Sequence, residues 1–388
     1  MQGSDAYICG AYEHPTRHAP DKSVAQLHAE CAAGALADAG LSFDEVDGYF
    51  CAGDAPGATP LVMADYLNLK LRWVDGTELG GCSYIALVSH AAAAIAAGQC
   101  SVALITMAGR PRSTGQSVGV KPRMLSPERP EAAFDSASNW TIAPIYGMAA
   151  QRHMHQYGTT SAQLAAVKVA ASTHAQYNPQ AMLPKKVTVE EVLASGVIAD
   201  PLHKMDCCVI SDGGGALVVT SQAVARRTGR PLVKVLGSGE TIYTNAGGRL
   251  DLTATGAQAS GRLAFAQAGL SPRDIQYASI YDNFTIMVIL QLEGLGFCKP
   301  GQGGAFVAEG NLVSGQGALP WNTDGGGLCN NHPQNRGGVT KVIEAVRQLR
   351  GEAHPMVQVP GCEIALASGP GLVLGAGHAH SSLILGRQ

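Results

Sequence analysis

Charge is scarce in this sequence. Only 15% of its 388 residues are Asp, Glu, Lys or Arg, and the signs nearly cancel, 27 basic against 30 acidic. A net charge of −3 provides no basic face for a phosphate backbone, which excludes a nucleic-acid partner. Aromatics are equally thin, at 5%. No uncharged apolar run reaches the roughly 18 residues of a membrane-spanning helix, so no membrane span is expected. The longest candidate, Ser83 to Gly98, is short and rich in Ala. The opening Met1-Gln-Gly-Ser-Asp5 lacks the positive and apolar stretches of a secretory signal. Ten Cys residues are present without a single Cys-x-x-Cys pair, which argues against a zinc ribbon or a thioredoxin-like site. Together these absences predict a cytoplasmic protein with reduced thiols and no bound metal.

What is present is apolar and flexible. Hydrophobic residues make up 46% of the chain, enough for a sizeable core, and 48 residues are Gly. At about 100–200 residues per domain, the length predicts two or three domain-sized units or one duplicated fold.

A repeat favours duplication. Residues 32–47 and 261–276 share an Ala-rich helix, a Gly stop, an acidic turn and a strand. Gly40-Leu41-Ser42 sits over Gly269-Leu270-Ser271, and Ala35, Ala37 and Ala39 over Ala264, Ala266 and Ala268. Cys100-Ser-Val-Ala-Leu-Ile and Cys362-Glu-Ile-Ala-Leu-Ala form a weaker second match in the same order. Helices are expected over Ser83–Gly98 and Thr340–Leu349, the latter with Lys341, Glu344 and Arg347 along one side. Strands are expected at 102–107, 216–220, 277–280, 356–359 and 364–367. This alternation predicts a layered α/β architecture. The Pro-rich stretch from about 110 to 200 reads as an insertion over the first half. Gly229-Arg-Pro231 reads as the boundary between 1–229 and 230–388.

Four places could carry chemistry. Cys82, in Gly80-Gly-Cys-Ser83, opens the Ala-rich helix. Unpaired N–H groups there favour the thiolate, so its proton affinity should be depressed, against the plainer reading of a small buried hydrophobe. His332 ends a Gly-rich run from Asn322 to Pro333 and could act as a general base or bond an oxyanion; a loop-capping His is the plainer reading. In Tyr281-Asp-Asn-Phe284, Tyr281 could donate a proton and Asn283 could orient water, unless the motif is merely an Asx turn. Ser368-Gly-Pro-Gly371 reads alone as a tight turn. The His203–Cys208 cluster reads as structural, since adjacent Cys side chains in an extended segment point apart. His153 and His155 fall on different helix faces. Gly213-Gly-Gly215 lacks the Lys-Ser/Thr of a phosphate loop.

Taken together, the motifs resemble the thiolase superfamily, especially the sterol-carrier-protein-type thiolases, along nearly the whole chain. Cys82 with its helix is similar to the nucleophile motif. Pro201-Leu202, Asp206-Cys-Cys and Ser211-Asp-Gly-Gly-Gly-Ala-Leu-Val-Val resemble the end of that family's N-terminal half. Tyr281-Asp-Asn-Phe stands at the place of its His-Asp-Cys-Phe motif, and Asn331-His332-Pro333 at that of its Gly-His-Pro loop. Ser368 falls where thiolases usually carry a second Cys. The resemblance implies a five-layered αβαβα sandwich of two related halves with a loop domain at about 110–200.

It also implies an enzyme acting on acyl-CoA, with coenzyme A as substrate and no tightly bound cofactor. In the thiolase version Cys82 becomes acylated and His332 assists. Asn283 and amides near Cys82 and Gly371 stabilise oxyanions, and Tyr281 or Ser368 moves the other proton. Gly327, Asn331 and Gly371 would line the substrate. Two departures, Tyr281 for His and Ser368 for Cys, resemble thiolase-like retro-aldolases that pair with a zinc-ribbon/OB-fold protein. There Tyr281 is the candidate acid/base on a 3-hydroxyacyl-CoA. A non-catalytic acyl-CoA or lipid carrier is a third possibility. A homodimer is implied by the resemblance.

Overall fold

In the computed structural model, residues 5–57, 59–117, 142–243, 249, 251–333, 337–371 and 379–388 are described. Of the expected insertion, residues 118–141 lie outside them.

The strands are β1 (Ala6–Glu13), β2 (Gly48–Phe50), β3 (Trp73–Asp75), β4 (Val102–Gly109), β5 (Val197–Ala199), β6 (Leu202–His203), β7 (Gly213–Ser221), β8 (Val233–Ile242), β9 (Tyr277–Ile280), β10 (Ile364–Gly371) and β11 (Ala379–Arg387). Nine of them form one sheet in the order β3-β2-β4-β7-β1-β8-β11-β10-β9, while β5 and β6 form a separate pair. The helices that matter for the site are α1 (Val24–Ala39), α2 (Ser83–Ala96), α3 (Ile142–Tyr157), α4 (Ala257–Ala268), α5 (Thr285–Gly294), the one-turn α6 (Gly326–Cys329) and α7 (Gly338–Arg350).

The sequence repeat becomes a structural one. Both α1 and α4 stop at a left-handed glycine, Gly40 at φ 66° and Gly269 at φ 67°. A one-turn 3₁₀ helix follows each, closed by a capping box, Ser42 with Glu45 and Ser271 with Asp274. The weaker repeat falls on β4 and β10, which pair in parallel with β2 and β9 respectively. Even the close contacts recur. A Cβ on Gly10 of β1 would lie 2.1 Å from the Ala35 carbonyl oxygen, and one on Gly237 of β8 would lie 2.3 Å from that of Ala264. Glycine lets each helix sit down on its strand.

Five layers result. Helix α1 covers β1, β4 and β7 from outside, and α4 covers β8 and β11. Helices α2 and α7 lie between the two halves of the sheet and touch strands of both. Residues alternate along each strand accordingly. On β10, Ala365 and Ala367 face the inner layer with Ile85, Val342 and Ile343, whereas Leu366 joins Phe265 and Ile286 on the outer side. The predicted αβαβα sandwich is present.

Two local expectations fail. Residues 368–371 are not a turn. They extend β10, because Ser368 through Gly371 pair with Ser382 back to Ala379. No strand forms at 356–359. His354 organises a turn there, its carbonyl accepting the N–H groups of Val357 and Gln358 at 2.9 Å each.

Candidate active site

Cys82 closes a 3₁₀ turn, Gly80–Cys82, that leads into α2. Gly80 takes φ 70°, and Ser83 ties the turn by accepting the Leu79 N–H at 2.9 Å and donating to the Gly80 carbonyl at 2.8 Å. The thiol is buried and points back to the Leu79 carbonyl, 3.6 Å away. The expected depressed proton affinity is not found. Burial pushes the thiol well up, Glu240 and Glu78 add to this, and the N–H groups of Cys82 and Ser381 only partly oppose it. The resting thiol is therefore protonated, and activation needs a base.

The candidate for it is a buried Tyr–His pair. The Tyr281 hydroxyl and His332 Nε2 are 2.7 Å apart, and both side chains are buried. Burial lowers His332 to about 4 and raises Tyr281 well above the usual phenol range, so both are neutral near pH 7. Their placement is rigid. The Tyr281 N–H bonds the Ser368 carbonyl at 2.8 Å, and the Gln291 amide holds the Tyr281 carbonyl at 2.7 Å. The His332 N–H is held by the Ser211 hydroxyl at 2.9 Å.

Gly81 joins the two groups. It precedes Cys82, and a Cβ there would meet Tyr281 Cζ at 2.9 Å. Gly337 and Gly369 press on the same tyrosine. Gly371 ends β10 beside Cys82; a Cβ there would lie 2.8 Å from Sγ. Cys82, Tyr281, His332 and Gly371 thus share one neighbourhood. The Gly-rich continuation at 372–378, whose amides were expected to help, lies outside the described residues.

The other expected residues are occupied elsewhere. Ser368 lies on the far face of β10. Its side chain follows Leu366 outward and bonds the Ser382 hydroxyl at 2.9 Å, which in turn bonds Ser260 of α4 at 2.9 Å. Strand alternation takes its hydroxyl away from Tyr281, whose ring packs on the neighbouring Gly369. Asn283 donates to the Tyr146 hydroxyl of α3 at 2.7 Å and accepts the Phe284 N–H at 3.1 Å. Asn331 turns its amide to Glu13, inside a buried cluster with Arg17, Asn330 and Arg347. The Gly327 N–H is taken by Asp282 at 2.8 Å and its carbonyl by Val209 at 2.9 Å, although a Cβ on Gly327 would lie 3.4 Å from His332 Cδ2.

Sequence reasoning passed over Asp282 and Lys341. Both are buried, and they form an ion pair of 2.8 Å beneath the His332 turn. The Lys341–Glu344–Arg347 stripe read as an ordinary helix side; in fact Lys341 and Glu344 are buried. The signal available was the position of Asp282 inside Tyr-Asp-Asn-Phe. The His203–Cys208 segment is structural, with Asp206 accepting the His203 N–H at 2.7 Å and bonding Thr285 at 2.8 Å. Among the described residues no helix is long and apolar enough to cross a membrane.

A nucleophile position at a helix start, a His loop and a Tyr-Asp-Asn-Phe turn, carried on two sheet halves with helices between them, define a thiolase-like site. Comparison with known proteins agrees. A family model described as "Thiolase C-terminal domain-like" matches residues 239–387. A 17-hydroxy-3-oxo-4-pregnene-20-carboxyl-CoA lyase of Mycobacterium tuberculosis is 37% identical over 380 residues, 94% of this chain and 95% of that protein. An acetyl-CoA acetyltransferase of Methanothermobacter thermautotrophicus is 32% identical over 368 residues, 93% of this chain and 94% of its own. The structure of an Ltp2–ChsH2(DUF35) aldolase superposes with a TM-score of 0.89 at 31% identity, covering 100% of this chain and 99% of that one. This chain belongs to the thiolase superfamily. It is an enzyme of thiolase type, making or breaking a carbon–carbon bond beside an acyl-CoA carbonyl.

Proposed function

We propose that Cys82 carries the acyl group of a 3-ketoacyl-CoA and that Tyr281 with His332 handles the protons. The observation that supports this is the packing of Gly81, the residue before Cys82, against Tyr281 of a hydrogen-bonded Tyr–His pair. Neutral His332 takes the Cys82 proton, directly or through Tyr281, as sulfur attacks the 3-keto carbon. The C2–C3 bond breaks, and the departing enolate is protonated by the same pair. Coenzyme A then attacks the thioester, giving its thiol proton to His332, and Cys82 leaves as the thiolate and takes that proton back. Amides near Cys82 and Gly371 are the proposed oxyanion donors.

A second reading has its own support. With the Ser368 hydroxyl on the far face of β10, the Tyr281–His332 contact is the one acid/base pair of the predicted set that the fold assembles. It suits retro-aldol cleavage of a 3-hydroxyacyl-CoA. Tyr281 would take the β-hydroxyl proton while passing its own to His332. The C2–C3 bond would break to a carbonyl compound and a thioester enolate that takes the proton back, with no acyl-enzyme, and the steroid carboxyl-CoA named for the lyase relative would be a candidate substrate. Assays of Cys82→Ala and Tyr281→Phe on a 3-ketoacyl-CoA with coenzyme A, and on a 3-hydroxyacyl-CoA, separate the two. The acyl-transfer reading expects Cys82→Ala to abolish turnover and Tyr281→Phe to keep much of it. A large loss in Tyr281→Phe with little in Cys82→Ala assigns the retro-aldol route.

The same reading includes two halves at 1–229 and 230–388, coenzyme A as a substrate without a tight cofactor, and a cytoplasmic site of action. It also includes a homodimer and an optional zinc-ribbon/OB-fold partner, in keeping with the aldolase neighbour paired with DUF35. Light scattering should give twice the 40.0 kDa chain mass at micromolar concentration; a monomer would count against the dimer.

A further inference from the structure

The turn that carries His332 rests on a buried ion pair. Lys341 Nζ lies 2.8 Å from Asp282 Oδ1. The same carboxylate accepts the N–H of Gly327 at 2.8 Å and of Leu328 at 3.1 Å. Gly326 leaves it room, since a Cβ there would meet Asp282 Oδ2 at 2.2 Å. The N–H groups of Asn330 and Asn331 then close on the Gly326 carbonyl, at 2.8 and 3.2 Å, and His332 follows. Because Asp282 also directly follows Tyr281, one carboxylate fixes both partners of the Tyr281–His332 contact.

Such a carboxylate would ordinarily draw a proton onto a neighbouring imidazole. Lys341 offsets it. Among the described residues, the charged or titratable groups acting on His332 are Tyr281 and Asp282 from the β9–α5 connection and Lys341 from α7. Asp282 raises the proton affinity of His332, Lys341 lowers it, and burial outweighs both.

We propose that Asp282 and Lys341 are a positioning pair: the carboxylate docks the Gly326–Cys329 turn that leads to His332, and the ammonium offsets that carboxylate's pull on the imidazole. This rests on the reading of Tyr281 and His332 as the proton-handling pair. Removing the lysine leaves the carboxylate uncompensated, so His332 should gain a proton more readily. Removing the carboxylate should not have that effect. Opposite outcomes from two partners of one bridge are not what a purely structural pair would give.

The test is a histidine-labelled NMR titration of the full-length protein, with the His332 signal assigned by its loss in His332→Gln. In wild type the imidazole should remain neutral at pH 6. In Lys341→Met its midpoint should rise by about one pH unit or more. In Asp282→Asn it should stay level or fall, and in the double variant it should return toward wild type. Should Lys341→Met fail to fold, Lys341→Gln, which keeps a donor for the carboxylate, carries the same expectation. Identical midpoints in the folded variants and wild type would overturn the proposal. The readout needs no turnover, so it stands apart from acyl-CoA assays, whose failure would strike the functional reading instead.

Discussion

Replacing His332 by Ala should cut turnover of an acyl-CoA substrate by about 10²–10⁴-fold, the usual cost of one acid/base or oxyanion group. Both proposed routes deliver a proton to His332, so the loss is expected whichever carbon–carbon cleavage is assayed. The fold should survive. The turn is fixed by Asp282 and Ser211 through backbone N–H groups rather than through the imidazole. Acyl-CoA binding measured by calorimetry should therefore persist while kcat collapses. The pH profile adds a check. Because burial holds His332 near 4, the wild-type acid limb belongs well below the ordinary histidine range, and activity should fall as pH drops through about 4. A variant that kept wild-type turnover would remove His332 from the site.

The second large effect is expected at a residue with no side chain. A methyl group on Gly371 would be placed 1.5 Å from the Leu79 carbonyl oxygen and 2.8 Å from Cys82 Sγ. Neither backbone can yield without moving the Gly80–Cys82 turn. Gly371→Ala should therefore displace the nucleophile while most of the molecule folds normally. Overpacking typically costs about 1–3 kcal/mol of stability. A displacement of about 1 Å at the reacting atom costs on the order of 10²-fold in rate. A modestly lowered melting temperature with activity reduced at least that far is the expected pair of results. Unchanged kinetics would mean that Cys82 is not where the reaction happens.

Much of this was legible in the sequence, for identifiable reasons. The Gly40 and Gly269 helix stops, each followed by Ser and an acidic residue three positions on, are local signals with local consequences, and both formed as expected. The αβαβα layering was implied by the family resemblance, with which the repeat agrees. Cys82 and His332 were found because each sits at an element boundary rich in glycine. What was missed depends on distant partners. Ser368 had the right position along the chain, but strand parity put its hydroxyl on the α4 side. Asn331 looked free for substrate, yet Glu13, more than three hundred residues earlier, claims its amide. Lys341 and Glu344 showed the spacing of a solvated helix side, and only the central-layer placement of α7 buries them. The helix-start argument for a depressed Cys82 was sound for an exposed terminus. It failed because the two sheet halves close over the thiol, and desolvation outweighs the N–H groups.

The most direct measurement is the intact mass of the protein after brief incubation with a 3-ketoacyl-CoA in the absence of free coenzyme A, followed by peptide mapping. The acyl-transfer account predicts one acyl group per chain, located on Cys82, absent in Cys82→Ala and discharged when coenzyme A is added. Turnover without any adduct, and undiminished in Cys82→Ala, would contradict it and leave the chemistry to Tyr281 and His332 alone.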